Sequence, residues 1–202
     1  EEAGLPPGVF NLIQAPGVDV AKALVSHPGV RVLSFTGSTP TGRAIGETAA
    51  RLNKKVSLEM GGKNAILVME DANVELVTDA TLWAAFGTSG QRCTAASRLL
   101  VQKGIARKVK ESLAERTKKL RLGDGLDPRV EVGLVINKAA MERIHNYVQI
   151  GKKEGARLLV GGSPALGSVH GSVTESVSKG FFYSPTLFDG VQPGSTLEAE
   201  EI

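Results

Sequence analysis

The chain has 202 residues, of which 42% are hydrophobic, and its 24 Lys and Arg residues against 21 Asp and Glu leave a net charge of only +3. This small, dispersed excess gives no support for binding to nucleic acid or to a membrane surface, and no run reaches the roughly 20 apolar residues that cross a bilayer. The single cysteine excludes an internal disulfide, which favours a reducing compartment, and we expect a cytoplasmic protein.

The first sixty residues predict alternating strands and helices. Residues 9–13 are β-rich and predict a short strand, residues 18–26 have helical spacing, and residues 30–36 predict a second strand. A helix follows the turn at residues 37–43, and residues 55–59 alternate as a third strand. This order of elements favours the parallel crossovers of an α/β fold.

The turn at residues 37–43 is a candidate anion site. Gly37 allows a sharp turn and Ser38 precedes a helix, whose free N–H groups favour a phosphate. Ordinary helix capping would use the same residue types. The segment also lacks the G-x-G-x-x-G dinucleotide fingerprint, so the residues alone leave both interpretations open.

The remaining residues predict further strands and helices. Residues 64–69 and 98–102 are strand-like, residues 74–86 between them predict a helix, and two amphipathic helices and a short strand at residues 158–160 follow. Residues 161–179 are rich in Gly and Ser and predict a mobile surface segment. The faces expected to be buried comprise Leu76, Val77, Ala80, Trp83 and Ala84 in the first helix, Ile105, Val109 and Leu113 in the second, and Met141, Ile144, Tyr147 and Val148 in the third.

The only cysteine, Cys93, lies in a glycine-bounded loop at residues 87–95 (GTSGQRCTA). Cysteine reacts as the thiolate, and a loop position beside Arg92 and close to backbone N–H groups favours that form. A lone cysteine in a globular chain is more often a small buried apolar residue. The loop alone therefore makes Cys93 only a candidate nucleophile.

A second motif, residues 58–64 (LEMGGKN), contains the carboxylate Glu59 at the end of a predicted strand. A side chain there is expected at the carboxyl edge of the sheet, where open α/β sheets bind their ligands. In isolation, a carboxylate at a strand end is more often a solvated surface charge. The catalytic interpretation of Glu59 is strengthened because the motif precedes the cysteine loop.

Together, residues 58–64 and 90–93 resemble the motifs of the NAD(P)-dependent aldehyde dehydrogenase superfamily in order and spacing, and the resemblance covers essentially the whole chain. The cysteine motif is most similar to that of semialdehyde-oxidising members. The resemblance implies a three-layer α/β fold. In it, residues 1–60 would be the C-terminal part of a Rossmann-like NAD(P)-binding domain, and residues 61–202 most of the catalytic, thiol-bearing domain.

The resemblance also implies the roles of individual residues. Cys93 would attack the aldehyde, and Glu59 would activate the water that hydrolyses the resulting thioester. The residues that would contact NAD or NADP are Gly37, Ser38, Gly61 and Glu201, with the pyrophosphate at the first two and the nicotinamide ribose at Glu201.

Two questions stay open at this point. Arg92 could bind the distal carboxylate of an acidic semialdehyde, or it could brace the cysteine loop. The chain could also be a CoA-acylating semialdehyde dehydrogenase, which Glu59 argues against because no water would need activation. A further alternative is a truncated, non-catalytic domain that retains family residues.

The resemblance implies a small-molecule aldehyde substrate and a homo-oligomeric whole protein. It also implies that these 202 residues are a fragment of a longer enzyme, inactive or nearly so alone. We expect no metal site, because His27, His145 and His170 lack the spacing of metal ligands.

Overall fold

The computed structural model describes residues 3–14, 17–165 and 180–202. They divide into two compact units, residues 1–60 and 61–202. The chain mixes helices with short parallel strand pairs, as an α/β fold requires. Residues 166–179, which form most of the segment predicted to be mobile and include His170, lie outside the described residues.

The first unit is a parallel strand pair joined by a helix. In chain order it contains α1 (Gly17–Ser26), β1 (Val32–Gly37), α2 (Thr39–Arg51) and β2 (Lys55–Met60). The register of β1 and β2 pairs Val32 with Lys55 and Gly37 with Met60, so both strands end at the same edge. The parallel arrangement follows from the intervening helix, since a crossover returns the chain in the same direction.

Helix α2 lies close against its strands because small residues face them. Ala49 is fully buried, and a Cβ added to the buried Gly42 would lie 2.5 Å from the Met60 sulfur. After α2, Lys54 donates hydrogen bonds of 2.6 and 2.7 Å to the carbonyl oxygens of Val25 and His27. Its positive charge therefore stabilises the C-terminal end of α1, where helix carbonyls are unpaired.

The strand predicted for residues 9–13 is wrong. The Val9 N–H donates to the Pro6 carbonyl in a turn, and Phe10 is 77% exposed. A β-rich segment becomes a strand only when a neighbouring strand accepts its hydrogen bonds. None of the described strands pairs with these residues.

The second unit contains two further strand pairs and most of the helices. In chain order its elements are β3 (Asn64–Val68), α3 (Val74–Phe86), a 3₁₀ turn (Gly87–Gly90), β4 (Ala96–Val101), α4 (Lys103–Thr117), α5 (Lys138–Lys153), β5 (Arg157–Val160), β6 (Leu187–Asp189) and the one-turn helix α6 (Thr196–Ala199). Strands β3 and β4 are parallel, and β5 and β6 are antiparallel. No helix in the described ranges is both long and apolar enough to span a bilayer.

Two clusters of buried side chains form the core of this unit. The first packs β3 against α3 and α4 through Val68, Leu82, Ile105, Val109 and Leu113. The second lies beyond α4 and contains Leu122, Val132, Ala165 and Phe182. Phe86 and Leu120 pack against both clusters. Phe86 ends α3, so the start of the cysteine loop is anchored in the core.

The predicted buried face of α3 is partly wrong. Val77 and Ala84 are half-buried, but Ala80 is exposed and Leu76 and Trp83 are 67% and 69% exposed. The buried residues are Thr78, Thr81 and Leu82. The Thr78 hydroxyl donates to the Val74 carbonyl and bonds the Ser112 hydroxyl of α4 at 2.9 Å. Because these bonds satisfy its polar atom, a threonine can face the core.

We predict that Leu113→Ala in the first core cluster lowers the free energy of unfolding by about 3 kcal/mol, because Leu113 is only 3% exposed and its removal leaves a cavity. The matched control is Leu126→Ala, which removes the same atoms from a residue that is 92% exposed. Urea denaturation measures both. Equal losses for the two variants would contradict the packing described here.

Candidate active site

The cysteine loop leaves α3 through an unusual left-handed turn. Thr88, Ser89 and Gly90 have φ values of 54°, 55° and 71° in succession. A β-branched residue such as Thr88 rarely adopts this conformation, which costs roughly 1–2 kcal/mol. Hydrogen bonds elsewhere in the loop offset this conformational cost. Cys93 itself lies in a turn closed by a bond from the Ala95 N–H to the Arg92 carbonyl, and its side chain is exposed.

One side of the loop is bound to the segment that precedes α5. The Ser89 hydroxyl donates to the Gly133 carbonyl at 2.9 Å. Gln91 accepts from the Ile136 N–H at 2.8 Å and donates to the Leu134 carbonyl at 3.4 Å. The amide of Gln91 thus pairs with that segment much as a neighbouring strand would.

The other side is bound to the start of β3. The Asn64 side-chain amide donates to the Cys93 carbonyl at 2.7 Å and to the Ala95 carbonyl at 3.2 Å. Asn64 is the last residue of the motif at residues 58–64, so the two motifs touch at the cysteine backbone. Among the described residues, the Cys93 N–H donates no hydrogen bond, which leaves it available to an oxyanion at the thiol.

Arg92 is directed at α3. Its guanidinium donates to the Trp83 and Ala84 carbonyls at 3.2 and 3.3 Å, and its central carbon lies 4.2 Å from the centre of the Trp83 ring. A cation at a helix C-terminus stabilises the unpaired carbonyls there. Of the two interpretations, these contacts support Arg92 as a brace of the loop.

In the first unit, Glu59 and Gly37 lie at the same end of the strand pair. Glu59 is exposed and pairs in register with Thr36, and Gly37 pairs with Met60.

The Ser38 hydroxyl bonds the Thr41 hydroxyl at 2.9 Å and does not cap α2. First-turn N–H groups therefore remain for an anion.

In the second unit, the structure brings Gly61 and Glu201 together. A methyl group added to Gly61 would overlap the Glu201 carboxylate, which therefore lies directly against this glycine. Lys63 is half-buried nearby. Desolvation, aided by the positive charge of Arg98, lowers the pKa of Lys63 below its usual range, while Glu198, Glu201 and Glu200 oppose the shift. Glu201 thus lies beside the glycine turn at residues 61–62, close enough for its charge to affect Lys63.

The described residues contain no group of three or more His, Cys, Asp and Glu side chains that could hold a metal ion. His145 instead bonds the Tyr183 hydroxyl at 3.0 Å and the Gln149 amide at 3.2 Å. Burial raises the pKa of Tyr183 to about 12, so it stays a neutral hydroxyl.

Sequence reasoning missed the residues that hold the loop and the C-terminal acids, namely Asn64, Gln91 and Arg98. Asn64 and Gln91 lie in the two motifs, and their position there was a usable signal. Arg98 gave no signal, because its partners Glu198 and Lys63 are distant from it in sequence.

Comparison with known proteins shows the family. The chain matches the aldehyde dehydrogenase family over residues 1–202. It is 41% identical to the α-ketoglutaric semialdehyde dehydrogenase of Bacillus subtilis over 202 residues, which are all of this chain and 40% of that enzyme. The chain therefore belongs to the aldehyde dehydrogenase family, and it spans about 40% of the length of such relatives.

Solved structures show the same fold. HpcC from Thermus thermophilus matches 99% of this chain with 38% of its own, at a TM-score of 0.92 and 44% identity. A betaine aldehyde dehydrogenase from Staphylococcus aureus in complex with NAD⁺ matches 99% of this chain with 38% of its own, at a TM-score of 0.89 and 35% identity. The predicted α/β class, as part of the aldehyde dehydrogenase fold, is confirmed.

We predict that Asn64→Asp loosens the cysteine turn, because a carboxylate would face two carbonyl oxygens that now accept from an amide. We expect a loss of about 1–3 kcal/mol in the free energy of unfolding and faster hydrogen exchange at residues 91–95. The control is Asn146→Asp, an exposed position of α5. Unchanged exchange at residues 91–95 in Asn64→Asp would contradict the role of this amide.

Proposed function

We propose that the whole protein, in which these residues are one part, oxidises an aldehyde to a carboxylic acid with NAD or NADP. The single observation that carries the proposal is the exposed Cys93, whose turn is held by Asn64 on one side and Gln91 on the other. A nucleophile must be both accessible and fixed in position, and this arrangement meets both requirements.

Cys93 attacks as the thiolate. Its sulfur bonds to the aldehyde carbon, and the carbonyl oxygen becomes an oxyanion to which the Cys93 N–H donates a hydrogen bond. A nicotinamide bound here would supply the acceptor for the hydride that leaves this carbon with its electron pair. Cys93 then carries a thioester.

Glu59 completes the cycle by accepting a proton from the water that attacks the thioester. The carbon–sulfur bond breaks, the acid leaves, and Cys93 is again a thiolate. In this proposal the first-turn amides of α2, together with Gly37 and Ser38, hold the pyrophosphate. Gly61 and Glu201 hold the nicotinamide ribose. Like the family it resembles, the whole protein would form a homo-oligomer.

Two of the relatives named above act on a semialdehyde and on betaine aldehyde, as their names state. The cysteine motif supports a semialdehyde for this protein. The contacts of Arg92 with Trp83 and Ala84 argue that this preference does not come from Arg92.

For the whole protein, we predict that Glu59→Gln uncouples the two half-reactions. Rapid mixing should show a burst of about one reduced cofactor per Cys93, followed by a turnover at least roughly 100-fold slower than the parent, because hydrolysis loses its base. Cys93→Ser, which keeps a side chain of similar shape, should show no burst. A Glu59→Gln variant with parental steady-state turnover would refute the role of Glu59, and a parental rate that requires CoA would favour acyl transfer to CoA.

We predict that Arg92→Ala lowers turnover of an acidic semialdehyde and of a plain aliphatic aldehyde by the same factor, since a brace affects every substrate alike. The measurement is the ratio of the two kcat/KM values. The conservative variant Arg92→Lys is the control, because it keeps the charge but not the planar group over Trp83. A loss confined to the acidic substrate would show that Arg92 binds its carboxylate.

A further inference from the structure

The C-terminal segment, residues 195–201, depends on the rest of the second unit for its shape. Its only regular structure is α6, four residues long, and a helix of this length does not persist without tertiary contacts. Three of its side-chain contacts come from α5 and the residue that directly follows it, and one comes from β4. They fall on Thr196, Leu197, Glu198 and Glu200, which directly precede Glu201.

Two of these contacts come from one face of α5, and another comes from Glu154, the residue that directly follows the helix. Glu154 accepts from the Thr196 N–H at 3.1 Å and from the Thr196 hydroxyl at 2.5 Å. Leu197, only 8% exposed, lies so close to Gly151 that a methyl group there would overlap it.

The third contact joins Tyr147 to the end of the segment. The Tyr147 hydroxyl donates to Glu200 at 2.6 Å. Tyr147, Gly151 and Glu154 follow one another at spacings of four and three residues, so all three face the segment from the same side of α5 and its C-terminal cap.

Arg98 of β4 supplies the fourth contact and connects the segment to the glycine turn. Its guanidinium donates to the Glu198 carboxylate at 2.5 Å and to the Lys63 carbonyl at 2.8 Å. Lys63 is two residues beyond Gly61, against which the Glu201 carboxylate lies. A single side chain therefore spans the two parts of the chain that meet at Glu201.

We propose that Arg98 and Tyr147 are positioning residues that hold the Glu201 carboxylate against Gly61 and thereby set the affinity for the nicotinamide cofactor. This inference rests on the proposed function, in which Glu201 binds the ribose. Glu201 is exposed, so its position depends on the residues before it. A hydrogen bond to a ribose hydroxyl needs that position held to a fraction of an ångström.

The test compares Arg98→Lys and Tyr147→Phe with the parent in the whole protein. Arg98→Lys keeps the charge but cannot reach both Glu198 and Lys63, and Tyr147→Phe removes one hydroxyl only. The matched control is Arg121→Lys, which alters another half-exposed Arg–Glu pair, Arg121 with Glu131, outside the segment. Readouts are hydrogen exchange at residues 197–201, the dissociation constants of NADH and NADPH from fluorescence titration, and the rate of Cys93 alkylation by iodoacetamide.

We expect both variants to speed exchange at residues 197–201 and to raise the dissociation constant of the preferred reduced cofactor roughly fivefold to tenfold, as loss of one charge-assisted contact would. Alkylation of Cys93 and the KM for the aldehyde should stay within about twofold of the parent. A general loss of stability would change these as well. The Arg121→Lys control should match the parent in every readout.

Two results would overturn the inference. If exchange rises but the dissociation constant does not, while Glu201→Gln does weaken cofactor binding, the segment does not position Glu201 and the proposed function stands. If the parent binds neither NADH nor NADPH, both the inference and the proposed function fail.

Discussion

The structure depends most on how the cysteine turn is held. Two side-chain amides, those of Asn64 and Gln91, replace the regular backbone pairing that a loop lacks. With them, the left-handed run at residues 88–90 can keep its conformation, and Cys93 is exposed while its carbonyl accepts a hydrogen bond from Asn64. Arg92 adds a third attachment, to the end of α3. Because α3 and the residues before α5 both pack on buried clusters, the position of the thiol is tied to the core.

A second constraint is the close approach of side chains to glycine at two places. Gly42 lets α2 approach β2, and Gly61 leaves room for Glu201. Both glycines lie beside residues that the proposal gives to the cofactor. Close approach of side chains to small residues thus shapes both the start of α2 and the glycine turn at residues 61–62.

Sequence patterns predicted most helices and strands well where a local signal existed, as in the alternation of β2 and the spacing of α5. They failed where a distant partner decides the outcome. Residues 9–13 are β-rich but have no strand beside them, and Thr78 is buried because Ser112 bonds its hydroxyl. The same reason explains the site. Cys93, Glu59 and the glycines stood out by motif, whereas Arg98 could be recognised only once its partners were known. The roles of the motif residues remain proposals that rest on the family to which the chain belongs.

The central claim is that Cys93 carries the acyl group between oxidation and hydrolysis. The most direct measurement is peptide mass spectrometry of the whole protein, quenched in acid during turnover with aldehyde and NAD⁺ or NADP⁺. The account predicts an added acyl mass on the peptide that contains Cys93, present only when both substrate and oxidised cofactor are supplied. An acyl mass on another residue, or none on Cys93 while acid product accumulates, would contradict it.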